Sequence, residues 1–187
     1  MHVASKEKMD YKDILSFWFE EISPKSWWIK DDAFDQLLRD RFMDIHRSAA
    51  QAELYSWRLQ PEGRLAEVIV LDQFSRNMFR DTAAAFAQDA LALVLSQVAI
   101  DVGDDQRLSS QQRAFLYMPF MHSESPVIHQ RAVELFSQPG LEGNLDFELK
   151  HKAIIDRFGR YPHRNRMLGR ESVDEELAFL EGPDSSF

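Results

Sequence analysis

Arg64-Leu-Ala-Glu-Val-Ile-Val-Leu-Asp-Gln-Phe-Ser-Arg-Asn-Met-Phe-Arg80 is the stretch whose reading decides the fold. Stepped at 100° per residue, Ile69 and Phe79 each fall within about 40° of Leu65, which is a helical spacing and not an alternating one. Asp72 and Arg76 fall in that same sector, and Gln73 and Arg80 flank it, with Asn77 in the same string. The stripe therefore turns polar in its C-terminal half. Charge on a core-facing stripe is costly unless paired, and Asp72 and Arg76 stand at the i,i+4 spacing that permits pairing. Arg41 interrupts a second stripe in the same way, between Leu37, Leu38 and Ile45. Two readings follow. Arg41, Asp72 and Arg76 form one buried ion network that fixes helix registry, or two cations against one carboxylate leave room for an anionic ligand.

Working outward, the same periodicity predicts helices over 11–21, 32–53, 61–79, 83–102, 110–122, 127–138 and 145–158, with a short last helix. Pro61 suits a first helical turn and Gly103 a helix end. Ser109 with Gln112, and Ser172 with Glu175, read as capping boxes, and Pro119 bends the helix it interrupts. No alternating run is long enough to be a strand. The fold class is all-α, about seven to eight antiparallel helices stacked as helical hairpins.

Length and composition agree with one domain over residues 11–187 behind a flexible tail at 1–10. Fourteen Phe and four Trp require a core. There is no cysteine, so thiolate nucleophiles and cysteine-held metals are excluded. No leader is evident at the N-terminus and no apolar run reaches the roughly 20 residues of a membrane span, so the expected location is cytoplasmic, with no membrane partner. A net charge of −9 argues against nucleic acid. The charge is uneven, however: residues 150–170 hold seven cations against one anion, leaving −15 for the remainder.

Two further clusters carry chemistry. In Leu116-Tyr-Met-Pro-Phe-Met-His-Ser-Glu124, His122 and Glu124 stand where the bent helix ends. A His-x-Glu pair occurs in zinc deaminases, but those need the cysteines missing here, so no metal or other cofactor is assigned. In Lys150-His-Lys-Ala-Ile-Ile-Asp-Arg-Phe-Gly-Arg-Tyr-Pro-His-Arg-Asn165, His151 sits on an apolar face as a core histidine would. Arg157 ends that helix, and Arg160, His163, Arg164 and Asn165 follow in a loop framed by Gly159 and Pro162. Such a loop is either a site or a basic surface paired with this chain's carboxylates. Nucleophile elbows, phosphate loops and dinucleotide fingerprints are absent.

The strings Leu71-Asp-Gln-Phe-Ser-Arg-Asn-Met-Phe-Arg80, Leu116–Glu124 and Arg157–Asn165 resemble a family of uncharacterised bacterial proteins, domain of unknown function nine-two-four. Ile14-Leu-Ser-Phe-Trp-Phe19, Trp27-Trp28 and the closing Ser185-Ser186-Phe187 extend the resemblance over nearly the whole chain. It implies a fold similar to tetratricopeptide-like α-α superhelices, although no 34-residue repeat is present. It implies no function.

Two functions are expected from these residues. The first is a pocket for a small anionic molecule bearing phosphate or carboxylate, lined by Arg41, Asp72, Gln73, Arg76, Asn77, Arg80, His151, Arg157, Arg160, Arg164 and Asn165. His122, Glu124 and His163 are its candidates for acid–base work. The second is a module holding a protein or peptide partner in a helical groove. Neither reading sets the oligomeric state.

Overall fold

A computed structural model describes residues 9–183 and 185, and the described residues hold helices and turns with no strand. The helices are α1 (Tyr11–Ser16), α2 (Asp32–Ala50), α3 (Pro61–Ile69), α4 (Ser75–Met78), α5 (Asp89–Asp101), α6 (Ser110–Met121), α7 (Pro126–Phe136), α8 (Glu142–Phe158) and α9 (Asp174–Leu180). Most of the expected tail lies outside the described residues. Of its last two members, Met9 packs on the core, and Asp10 caps α1 while Asp13 accepts the Asp10 amide at 2.8 Å.

The decisive stretch departs from a plain helix. α3 runs into a π-helical turn at Val70–Phe74 before continuing as α4. A π turn inserts a residue and shifts every later side chain around the axis. Residues 65–75 are buried without a break, so this rod is the centre of the molecule and not one stripe against a core. It packs on α1, α5 and α6, and α2 packs on the π turn and α4. Phe17, Trp18, Phe42, Phe74 and Phe115 fill the N-terminal half, with ring centroids 4.7 Å apart for Phe17–Phe42 and 5.6 Å for Trp18–Phe115. Side chains of this size each contribute on the order of 1.5–3 kcal/mol by leaving water.

The second central helix is α6. Its start is closed by the expected capping box, with Gln112 N donating to Ser109 Oγ at 3.3 Å and Ser109 N to Gln112 Oε1 at 3.0 Å. α7 runs antiparallel to it, since Arg113 near the start of α6 donates to Gln138 beyond the end of α7 (3.1 Å). α8 folds back on α7, pairing Glu148 with His129. α6 and α8 are therefore parallel, with their N-terminal ends together. The last capping box falls one residue later than expected: Val173 N donates to Glu176 Oε2 at 2.9 Å.

One stretch, Ala83–Asp101, is as apolar as a membrane span, with mean hydropathy 1.6, although the sequence was expected to hold no such run. Its first residues form a 3₁₀ turn, and the α-helical part has 13 residues, about 20 Å, against a hydrocarbon core of about 30 Å. It packs on α3 and α6.

Candidate functional site

The π turn places Asp72 fully inside the protein. Its Oδ1 lies 2.8 Å from His122 Nδ1 and 3.1 Å from Arg76 Nη1, and Gln73 Nε2 donates to its Oδ2 at 2.7 Å. Burial alone would raise the Asp72 carboxyl, but the charge of Arg76 and the hydrogen bonds from His122 and Gln73 hold it below the usual carboxylate range. An ionised Asp72 can only accept, so His122 Nδ1 carries the proton. Burial and the charge of Arg76 push the ring below its ordinary pKa, against the pull of Asp72, and keep it neutral. Its other nitrogen, Nε2, then offers a lone pair and makes no hydrogen bond among the described residues. A base oriented by a buried carboxylate is the arrangement that proton transfer requires.

Around this dyad stand two guanidiniums that share one carboxylate. Arg76 binds Asp89 through two bonds of 3.0 Å, and Arg164 Nη1 reaches the same residue at 3.2 Å. Arg164 Nη2 donates to the His122 carbonyl at 3.0 Å, and the guanidinium lies over the rings of Phe86 (4.5 Å) and Tyr161 (4.7 Å). Arg164 Nε and His163 Nδ1 are buried and have no hydrogen-bond partner among the described residues. Burial, with the charge of Arg164 next to it, pushes His163 down to about 4. Beside them Arg170 holds Glu124 by bonds of 2.7 and 2.9 Å, and Tyr161 N donates to Glu124 Oε1 at 2.7 Å.

The other expected site residues are elsewhere. Arg41 lies on the outside, bonded to Glu21 at 2.6 and 2.9 Å with its guanidinium 5.0 Å from the Phe17 and Phe42 rings. Its long stem covers the apolar stripe while its head reaches water, so no buried pairing with Asp72 is needed. Asn77 and Arg80 point to Asp35 (2.9 Å; 2.5 and 2.8 Å), because the π turn rotates them away from Asp72. Arg157 pairs with Glu175 at the surface, and Arg160 with Glu176, at 2.6 and 2.8 Å. Asn165 donates to Ser172 and Glu176. His151 Nδ1 lies 2.8 Å from the Phe147 carbonyl on its own helix, and burial pushes the ring down to about 3.

The expected surplus of positive charge is therefore not present. Arg76, Arg164 and Arg170 face Asp72, Asp89 and Glu124, and Arg157, Arg160, Arg164 and Arg170 of the basic island pair with carboxylates outside it. Asp89 and Tyr161 were missed as site members. Asp89 stands on the first turn of α5, where an acidic residue is ordinary, and the tertiary fold alone turns it inward. Among the described residues no group of three or more His, Asp or Glu is placed to hold a metal ion.

With the geometry described, comparison places the chain. The model of the family described as "Bacterial protein of unknown function (DUF924)" matches residues 14–184. The chain belongs to this family. A solved structure of a protein of unknown function from Agrobacterium tumefaciens is 43% identical, covering 92% of this chain and 97% of that one with a TM-score of 0.87. No curated protein matches. DUF924 membership brings the fold and the motif strings together, and the activity has to be argued from the site.

Proposed function

We propose that the cluster around His122 binds a small molecule bearing one carboxylate, and that His122 takes up a proton from it or from a reacting group. The observation that carries this reading is the 2.8 Å bond from His122 Nδ1 to the fully buried Asp72, with Nε2 left open. Arg76 and Arg164 set against Asp72 and Asp89 balance, so a carboxylate leaves the site one charge negative. A proton on Nε2 restores neutrality. A phosphate dianion would demand twice that compensation, which makes carboxylate the better fit of the two anions. Arg164 Nε, a buried N–H without a partner, supplies a donor for the bound oxygen.

Histidine-resolved nitrogen NMR during titration with acetate tests the reading. The free protein is expected to show His122 neutral with its proton on Nδ1, and acetate is expected to move that ring toward the doubly protonated form. If acetate at tens of millimolar leaves the His122 resonances where chloride leaves them, the reading fails.

A second reading, a module that holds a protein or peptide partner, draws on α5. Val94, Val98 and Val102 are all exposed along one side of that helix. Apolar residues gathered on one face are more often an interface than single ones are. The stripe carries no indication of what would cover it, so the carboxylate reading stands first.

A further inference from the structure

Beside the turn at Pro24–Trp27, the starts of α6 and α8 enclose an open groove of about 400 Å³. That volume lies at the smaller end of the range for small-molecule sites. Its aromatic wall is a fixed corner. Trp28 is 62% exposed, with its ring nearly parallel to that of Phe115 (12°, centroids 6.0 Å apart), and Trp27 stands across them at 88° and 76°. Trp27 is itself locked, since its Nε1 donates to the Trp18 carbonyl at 3.0 Å. A ring face held in place before a guest arrives needs little ordering on binding, and a planar guest can lie flat on it.

The polar side chains of the groove gather at one end. α6 and α8 are parallel with their N-terminal ends together, so Gln111 and Asn144, each in a first turn, stand at the same end. Phe115 and Met118 follow Gln111 by four and seven residues on one face, about 6 and 10 Å along the axis. The side-chain amides of Gln111 and Asn144 make no hydrogen bond among the described residues. Each carries N–H donors and a carbonyl acceptor. No charged side chain lines the groove.

These walls set three requirements on a guest. It is uncharged, because an ion would leave water for walls that hold no counter-charge. It has a flat apolar body for the Trp28 face and Met118. It has one hydrogen-bonding edge, with donor and acceptor together, for the amides at the helix starts. A sugar meets the first requirement but carries hydroxyls around its whole rim, and the amides stand at one end only. We infer that this groove binds a neutral aromatic carboxamide or lactam ring, stacked on Trp28 with its amide edge at Gln111 and Asn144. The site is separate from the His122 cluster and does not depend on what that cluster binds.

The test uses the full chain with ¹³C-labelled methionine methyls and ¹⁵N-labelled tryptophan, titrated with benzamide, benzoate, acetophenone and methyl β-glucoside at equal ionic strength. Benzamide is expected to shift the Met118 methyl and the Trp28 indole N–H together. It is expected to bind at least about ten-fold more tightly than benzoate, which has the same shape and a charge, a difference of about 1.4 kcal/mol. Acetophenone keeps the acceptor and lacks the donor, and is expected to bind more weakly than benzamide, with Gln111→Ala narrowing the difference. Trp28→Ala is expected to remove the Met118 response to benzamide. Both substitutions are at exposed positions, and the remaining methionine resonances report whether the fold is kept. The inference is overturned if benzoate or acetophenone binds as tightly as benzamide, or if Trp28→Ala, still folded, binds benzamide as the parent does. It is equally overturned if the glucoside moves Met118 and benzamide does not, or if no probe moves either group at tens of millimolar.

Discussion

Asp72 Oδ1 is 2.8 Å from the His122 ring and 3.1 Å from the Arg76 guanidinium, so one buried oxygen ties the end of α6 to the rod formed by α3 and α4. Neither partner has another carboxylate oxygen as deeply buried.

Removing that carboxylate leaves the His122 and Gln73 donors without their buried acceptor and Arg76 with Asp89 alone. Asp72→Ala is expected to lower unfolding free energy by about 3–5 kcal/mol, read from urea denaturation. Asp72→Asn keeps the volume and is expected to cost less. It also releases the His122 proton from Nδ1, which nitrogen NMR detects. A loss below about 1 kcal/mol for the alanine variant would show that the dyad is peripheral to stability. The pH sign is fixed by the direction of the Asp72 shift. A carboxyl held below its unfolded value near 3.8 contributes stability that is present above that pH and lost as pH falls toward its folded value.

Histidines give a second, separate pH dependence. His151 and His163 are pushed down to about 3 and about 4, against 6.5 unfolded, with burial the main cause in both. Between about pH 6 and pH 4 the unfolded chain therefore binds protons that the folded chain refuses. Stability rises with pH across that window, full above 6.5 and falling below it, by about 1.4 kcal/mol per pH unit for each such histidine. His151→Gln is expected to flatten the slope by one proton, measured by denaturation at a series of pH values. An unchanged slope would mean that His151 is protonated in the fold.

Arg41 is the control for the charge assignments. Its guanidinium is exposed and paired with an exposed Glu21, and such pairs contribute between 0 and about 1 kcal/mol. Arg41→Ala is expected to change stability by no more than about 1 kcal/mol and to leave the His122 resonances in place. Arg76→Ala is expected to move them. A large His122 response to Arg41→Ala would put Arg41 back in the network.

How far these features were legible follows from what each residue signals locally. The stripe through Leu65, Ile69, Asp72 and Arg76 is a local pattern, so the buried Asp72–Arg76 pair was readable. So was the capping box at Ser109. The π turn at Val70–Phe74 has no composition signature, and it is what sends Asn77 and Arg80 to Asp35. Arg41 was misplaced because a helical wheel fixes the direction of Cβ and not where a six-atom side chain ends. His122 was named from its position after Pro119, but its partner lies 50 residues away, and its role became visible only with the fold.

Asp89 supplies the sharpest test of the charge balance. It is the carboxylate shared by Arg76 and Arg164, and it is partly exposed while Arg164 is buried. With Asp89 present, the two guanidiniums and the carboxylates of Asp72 and Asp89 sum to zero, and a dianion has nothing to gain. With Asp89→Ala, the same two guanidiniums face Asp72 alone, and the pocket becomes a site for sulfate. The variant is expected to be less stable than the parent in chloride, by about 3 kcal/mol, because it leaves a buried cation unpaired. Sulfate is then expected to raise the Tm of the variant above its value in chloride at equal ionic strength, and to leave the parent unchanged. At a hundred times the dissociation constant the recovery would be about 2.7 kcal/mol, close to the original loss. A parent chain that gains as much from sulfate as the variant does would mean that the wild-type pocket already holds surplus positive charge. The phosphate-binding expectation would then return in place of the carboxylate one.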